Sequence, residues 1–353
     1  MSPLGPGAPD RGGARLGEVM AKEMAEQPDR LAALLSRRQE LAKHVRAVLP
    51  EPLAGTVLVA RGSSDHAAKC GSYFLELATG RPVASASPSL FTLYRASTDF
   101  TGYLMVAVSQ SGQTPEIVEV VERARHRGAS TIAVTNDAGS PLASAAELVV
   151  DLGAGEERAV PATKTVTAQL AAFAVIAQAL GDLHLEDKAA GELPGQVAEV
   201  LADSGPPAGL AEWLREKGNL VTVARGFLYG AACEAALKVE ETSSRFTAAF
   251  SAADLRHGPI AMASAGPQVL AFAHPGPTSA DMAELVAELR SRGADTRLAG
   301  PVDGSAMTWP ATAPEVLAPI LAVTRGQQLA LALARQLGRD PDAPPGLTKV
   351  TVT

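Results

Sequence analysis

Glu234, Lys238 and Glu241 stand in the segment EAALKVEETSSRFTAAFSAADLRHGP (234–259), which closes on His257 just ahead of a Gly-Pro pair. Two acids, a lysine and a histidine thus fall within about one helix and the loop after it. These are the side chains that acid–base catalysis uses. At about 100° per residue, Glu234, Lys238 and Glu241 share a narrow arc of one helix face, Val239 sits on the flank, and Glu240 points away. On a solvated helix, a Glu–Lys pair four residues apart contributes only about 0.2–0.5 kcal/mol. The same helix is otherwise small and apolar (Ala231, Ala232, Ala235, Ala236, Leu237), so its face is expected to be buried. Buried charge without partners is costly. A catalytic face is the reading that gives the charges a reason.

A second group of polar residues precedes it. SQSGQT (109–114) follows an apolar strand and leads into a helix near Pro115. Ser109, Ser111 and Thr114 supply hydroxyls, Gly112 permits close backbone approach, and the helix start adds oriented N–H donors. Ser64, in the loop after the first strand, should end at the same sheet edge, beyond the carboxyl ends of the strands. A plain turn is the competing reading of such a cluster. The chain itself weighs against it, because it is duplicated.

VLVARGSSDHAAKCGSYFLE (57–76) and VTVARGFLYGAACEAALKVE (221–240) share Val57, Val59, Ala60, Arg61, Gly62, Ala67, Ala68 and Glu76 at one constant offset. The same offset carries SQSGQT onto AHPGPT (273–278), and Arg127-Gly128-Ala129 recurs as Arg292-Gly293-Ala294. Three windows in one order mean two like domains. Ala273 and Pro275 replace Ser109 and Ser111, so the fold survives without the hydroxyls. They are free to serve a ligand.

The elements that position these groups alternate. Strands are expected at 57–60, 105–109, 131–135 and 148–152 in the first half, with helices at 65–77, 115–127, 141–146 and 163–180. In the second half strands are expected at 220–224, 269–273 and 296–300. Short apolar strands between helices predict an α/β fold with two doubly wound parallel sheets. Residues 1–48 read as a tail followed by one or two amphipathic helices, 49–185 as the first domain and 200–339 as the second. The Gly- and Pro-bearing stretch 181–207 holds the boundary, and 340–353 is a loop or flap over the site.

Composition excludes some functions. Charged residues are 20% of the chain, aromatics 4%, and the net charge is −7. Nucleic-acid binding needs clustered Lys/Arg and stacking rings, so no nucleic acid is expected. Cys70 and Cys233 lack metal-ligand spacing and read as buried thiols of a reducing cytoplasm. The opening MSPLGPGAPDRGGAR has no apolar stretch of the kind a signal peptide carries. The run Leu170–Leu180 is too short to span a bilayer. A cytoplasmic protein without membrane attachment is the expectation. Neither metal ligands nor a dinucleotide fingerprint are evident, so no metal or other cofactor is expected.

ARGSSDHAA (60–68), SQSGQTPE (109–116), EERAVPATKT (156–165), ARGFLYGAACEAALKVEE (224–241), LRHGP (255–259) and the terminal LTKVTVT together resemble the sugar isomerase (SIS) domain family. The resemblance runs from about Met20 to the C-terminus. It is nearest to the isomerase half of glucosamine-6-phosphate synthase and to isomerase-like glucosamine-6-phosphate deaminases; PSLFTLY (88–94) beside SQSGQTPE favours the latter. It implies that Ser64, Ser109, Gln110, Ser111 and Thr114 hold a sugar phosphate and that Val160 and Thr163 line the pocket. Glu241 would move a proton between C1 and C2. His257 would open the ring, reaching the site of the neighbouring subunit in a homodimer. Glu234 and Lys238 would support the base and the sugar hydroxyls, and Lys349 would meet the substrate carbonyl.

Lys164 reads as a helix cap or a partner of Glu156, His66 as a cap or a ligand, and Glu156 and Glu157 as structural. Two positions depart from the family pattern: Ala248, where glutamate is frequent, and Pro161, which interrupts the usual VAATK. With residue 2 a serine and the chain starting at the isomerase half, glutamine-dependent synthesis is not expected. The resemblance implies deamination of glucosamine 6-phosphate. Dehydration of N-acetylglucosamine 6-phosphate by the same base is the alternative, and non-catalytic sensing of a sugar phosphate ranks last.

Overall fold

The computed structural model describes residues 16–349 apart from His184. Three short helices come first, where one or two were expected: α1 (Glu18–Ala25), α2 (Gln27–Ser36) and α3 (Arg38–Ala47). The first half follows as β1 (Gly55–Val59), α4 (Gly62–Thr79), β2 (Val83–Ser85), α5 (Pro88–Thr92), β3 (Tyr103–Val108), α6 (Pro115–His126), β4 (Ser130–Thr135), α7 (Pro141–Ala145), β5 (Leu148–Asp151) and α8 (Lys164–Leu180). Next come α9 (Asp187–Ala202) and α10 (Gly205–Lys217). The second half is β6 (Leu220–Ala224), α11 (Tyr229–Ser243), β7 (Thr247–Ser251), α12 (Ala252–Arg256), β8 (Gln268–Phe272), α13 (Ser279–Ser291), β9 (Asp295–Ala299), β10 (Ser305–Met307) and α14 (Ala318–Gln336).

Each half builds a five-stranded sheet, parallel throughout. The orders are β2-β1-β3-β4-β5 and, run in the corresponding direction, β7-β6-β8-β9-β10. The two orders are identical once β6 is matched to β1, which is what the repeated sequence windows require. Strand order reverses between β1 and β3 in the first sheet and between β6 and β8 in the second. Those are the places where an open parallel sheet leaves a crevice.

Apolar strands buried on both faces explain the layers. Val57, Met105 and Ala133 face one side of the first sheet, against α6 and α7, through Ile117, Val121 and Leu142. Val221, Val269 and Ala271 do the same in the second sheet, against Met282 and Leu285 of α13. The opposite faces share one continuous core, in which Leu58, Val106, Phe173, Ala231, Leu270 and Val323 all take part. Helices α4, α8, α11 and α14 fill this middle layer, α4 packing on both α8 and α11. A Cβ at Gly230 of α11 would come 2.4 Å from the His66 carbonyl and 2.5 Å from Cys70 Sγ, so the glycine sets how closely α4 and α11 approach. Both cysteines are buried at this contact and unpaired.

Three edge strands escaped the sequence pattern. β2 (VAS) and β10 (SAM) are three residues long and partly exposed, and β7 (TAAFS) is mostly half-buried, so none shows an apolar run. The stretch expected to hold the domain boundary is largely helical. α9 carries Pro194 inside it and buries Leu193, Val197 and Val200 against α2 and α14. The segment 340–349 has neither helix nor strand; the last four residues of the expected flap lie outside the described residues. Among the described residues no helix is long and apolar enough to cross a membrane.

Candidate active site

A cleft of about 590 Å³ opens at the switch point of the first sheet. Its floor and walls come from the starts of α4 and α6, the loop before α8, the end of α11 and the tail. Ser64, Ser109, Gln110, Ser111, Thr114, Val160, Glu241 and Lys349 all line it, together with Arg61, Ser63, Glu116 and Ala162. Residues spread over most of the chain's length are thus gathered in one hollow. Its size suits a small phosphorylated sugar.

The hydroxyl loop owes its shape to Gly112, which has φ 61°. A Cβ there would come 2.1 Å from Ser140 Oγ, so the loop packs directly on the N-cap of α7. Within the loop, Ser109 Oγ accepts the N–H of Gly112 (3.2 Å) and Ser111 Oγ that of Gln113 (3.2 Å). Thr114 is the N-cap residue of α6, extended at φ −74° and ψ 109°, with no capping bond from its own side chain. The positive end of a twelve-residue helix therefore faces the hollow beside these hydroxyls. Arg61 and Glu116 pair across the mouth at 2.7 Å. Ser64 lies in the first turn of α4 rather than in a loop, since the helix starts at Gly62. Gln169, buried in α8, donates to Ser64 Oγ at 3.0 Å.

Opposite the hydroxyls stands the charged face of α11. Lys238, fully buried, bonds to Glu241, to Ser63 Oγ (3.0 Å) and, at 3.3 Å, approaches Glu234. Glu234 in turn meets His66 Nδ1 at 2.8 Å. The two acids are not equivalent. Burial works against the charge on Glu234, but Lys238, His66 and Ser63 overcome it and hold that carboxyl below its ordinary value. Burial likewise works against the charge on Lys238, yet the two acids around it raise its affinity for its proton. Glu241 is left with half-shares: burial raises it, Lys238 pulls it down, Glu234 pushes it up again, and the net is upward. One lysine thus lies between a deeper acid held below its ordinary value and a shallower one raised above it.

The structure sets four of the expected residues apart from the cleft lining. Glu234 and Lys238 are buried behind it, with Lys238 in contact with Glu241. Thr163 does not face the hollow: it is fully buried, turned inward as the N-cap of α8 with its N–H donated to Glu157 at 2.9 Å. His257 is not at the end of a simple loop after α11. Ser244, at φ 51°, ends that helix and sends the chain through β7 and α12, so His257 sits exposed at the C-cap of α12, outside this chain's own cleft. Lys164 pairs with Glu26 of α2 at 2.7 Å, not with Glu156. Ala248 lies on edge strand β7 opposite Val221 and does not line the cleft, whereas Pro161 is buried between Val160 and Ala162, which do.

Ser63 and Gln169, which sequence reasoning passed over, Glu157, which it read as structural, and His66, which it read as a cap or a ligand, are the neighbours of the site. Glu157 is the most heavily bonded of them. Its buried carboxylate accepts from Thr163 N–H, Thr165 N–H (3.1 Å), Thr165 Oγ1 (2.7 Å) and Lys349 Nζ (2.7 Å). Ser63 and His66 lie within the ARGSSDHAA segment and Glu157 within EERAVPATKT, so their segments were visible though their contacts were not. Gln169 sits mid-helix and gave no local signal. Among the described residues no cluster of three or more His, Cys, Asp or Glu side chains is placed to hold a metal ion.

The SIS domain pattern matches residues 56–179 and 213–299, covering both switch-point halves. The chain belongs to the SIS domain family. A glutamine–fructose-6-phosphate aminotransferase [isomerizing] of Pyrobaculum aerophilum is 33% identical over 350 residues, covering 95% of this chain and 57% of its own length. The chain thus spans little more than half of such relatives. A Silicibacter pomeroyi protein provisionally named a phosphosugar isomerase is similar in structure (TM-score 0.81, 32% identity), over 92% of this chain and 99% of that one. The glucosamine-6-phosphate deaminase of Thermotoga maritima shares the fold (TM-score 0.78, 22% identity), over 95% of this chain and all of its own.

Proposed function

We propose that this SIS family member is an enzyme that converts glucosamine 6-phosphate and water to fructose 6-phosphate and ammonia. The observation that carries the reading is Glu241: a largely buried carboxyl, raised above its ordinary value, in the same cleft as the hydroxyl loop. In this reading Ser64, Ser109, Gln110, Ser111 and Thr114 hold the phosphate and fix the sugar carbons relative to the carboxylate. Glu241 takes the proton from C2 of the opened amino sugar and returns it to C1, leaving an imine at C2. Water adds to that imine and ammonia departs. Lys349, on the cleft wall, meets the substrate carbonyl and steadies the negative charge that develops on its oxygen. Ring opening falls to His257, supplied by a second copy of the chain, because His257 stands outside its own cleft. The free cysteines fit a cytoplasmic enzyme, and the similarity to an isomerizing aminotransferase supports amino-sugar chemistry.

Pro161, inside the wall between Val160 and Ala162, favours one rival reading in which that wall takes an N-acetyl group. An amide nitrogen leaves poorly, so the same C2 carbanion would expel the C3 hydroxyl and lose water. The test incubates the protein with glucosamine 6-phosphate and with N-acetylglucosamine 6-phosphate, following ammonia, fructose 6-phosphate and product mass, with Glu241→Gln as the blank. Ammonia from the free amine, absent in the variant, is the expected result. Loss of water from the acetylated sugar would replace the deaminase with the dehydratase, and no product from either would overturn both.

A further inference from the structure

Glu157 and Lys349 meet at 2.7 Å across 192 residues of sequence, and both are fastened to the same short helix. Glu23, in α1, accepts the N–H groups of Arg158 (2.5 Å) and Ala159 (3.2 Å), which anchors the loop just after Glu157. Asp342, in the tail, accepts the N–H groups of Val19 (2.9 Å) and Met20 (2.7 Å) at the start of α1, and Asp340 accepts that of Gly17 (3.1 Å). The cleft-wall loop and the tail are therefore clamped to one element, and Leu347, Thr348 and Lys349 are laid into the cleft from there.

The carboxylate at the junction is the most enclosed in the site, its side chain wholly shielded from solvent. A helix start needs acceptors for its N–H groups, and one oxygen of Glu157 already supplies them for Thr163 and Thr165. The second oxygen is aimed at Lys349 Nζ and Thr165 Oγ1. Capping alone gives no reason for an ammonium from the far end of the chain. Burial opposes the charge on Glu157, and Lys349 with the threonine donors holds the carboxyl below its ordinary value all the same, so the pair is charge to charge.

We propose that Glu157 is a positioning residue that fixes the ammonium of Lys349 on the cleft wall, through a clamp in which α1 holds both the loop and the tail. The proposal rests on the reading of Lys349 as the lysine that meets the substrate carbonyl. It deepens that reading by making the lysine's place depend on an acid that never touches substrate.

A double-mutant cycle tests it. Glu157→Gln keeps an oxygen for the Thr163 and Thr165 N–H groups and removes the charge; Lys349→Met removes the other partner. On glucosamine 6-phosphate, Glu157→Gln is expected to lower kcat about tenfold to a hundredfold, the scale of a misplaced reacting group, with KM within about twofold. The double variant should be no slower than Lys349→Met, because Glu157 acts only through that lysine. Hydrogen exchange of the intact protein gives an arm that needs no turnover. Amides of 343–349 should exchange faster in Glu157→Gln and in Lys349→Met, to the same extent, with the rest of the chain unchanged. Losses in kcat that multiply, a tail that exchanges as in the parent, or exchange that quickens throughout the Glu157→Gln protein would each overturn the clamp, the last by making Glu157 a folding residue. If the parent turns over no glucosamine 6-phosphate, the substrate reading fails while the exchange arm still decides the clamp.

Discussion

The loop after β3 and the loop after β8 occupy the same place in two sheets of identical strand order, yet only the first is furnished for an anion. In the first, Ser109, Gln110, Ser111 and Thr114 all line the cleft. In the second, the residue matching Gln110 is His274, which is buried. Its Nε2–H donates to the Ala313 carbonyl (3.1 Å), its Nδ1 accepts from Trp309 Nε1 (3.3 Å), and the two rings lie nearly parallel. Pro275 and Pro277 remove N–H donors on either side of Gly276. The second crevice is still open, at about 580 Å³, but Glu315 sits on its wall with Arg225. No ion-pair partner for Glu315 stands among the described residues, and burial raises its carboxyl. An anion would meet an acid there. What the halves keep in common is mechanical: Arg61 reaches Glu116 in the first turn of α6, and Arg225 approaches Asp281 in the first turn of α13 at 3.7 Å. The comparison separates what the fold needs, which is duplicated, from what the chemistry needs, which is not.

The widest gap should open at the acids. Glu241→Gln is expected to lower kcat by about 10²–10⁴-fold, the usual worth of a positioned base, while Glu315→Gln leaves kcat unchanged. A steady-state assay on glucosamine 6-phosphate reads both, and a large loss from the second variant would break the comparison. Next come the hydroxyls. Ser109→Ala and Ser111→Ala each remove a donor to a charged group, about 1.5–3 kcal/mol, so KM should rise about tenfold or more in each; Ala273→Ser should leave KM alone.

The glycines sharpen the contrast in stability. At Gly112 an added Cβ meets strain at φ 61° and the Ser140 side chain near its root, whereas at Gly276 the nearest atoms are the far end of Glu315. Gly112→Ala should cost about 1–3 kcal/mol in backbone strain and about 1–3 more in overpacking; Gly276→Ala should show the first cost without the second. Denaturant unfolding of the two variants decides.

The smallest effects are in pH. Since Glu241 must be ionised to act and its carboxyl is raised above 4.5, kcat/KM should rise with pH through a limb lying above that value. His274 is held below its ordinary 6.5 because burial disfavours its charge. Its contribution to stability is therefore full above 6.5 and is lost as pH falls through its lower folded value. Melting temperatures of the parent and of His274→Gln should converge over that acid range; parallel curves would show that the second loop is not pinned by a neutral histidine.

Much of this was legible in the residues. Strands β1, β3, β4, β6 and β8 carry apolar runs that a doubly covered parallel sheet can bury, β5 and β9 continue the same alternation with helices, and the repeated windows announced two like halves. The edge strands β2, β7 and β10 were silent, because an exposed strand needs no apolar pattern. Glu234, Lys238 and Glu241 could be put on one face by arithmetic. That His66 would serve Glu234 and that Gln169 would hold Ser64 could not, since each depends on a helix packed from elsewhere in the chain; nor could Thr163's inward turn, which depends on the fold of its own loop around Glu157.

Residue types and local periods alone determined the fold class, the duplication, the hydroxyl loop and the charged helix face, because each is written in windows of about twenty consecutive residues or in the comparison and succession of such windows along the chain. Tertiary structure decided which acid is which. Glu234 and Glu241 share one lysine, and only the packing of α4 against α11 gives the first acid a histidine and leaves the second facing the cleft. It also decided where the two ends of the chain meet. Asp342 on α1, and Lys349 on Glu157, are contacts between residues more than 190 positions apart. No local pattern encodes such a distance; it is fixed when the sheets and the helical layer between them close on one core.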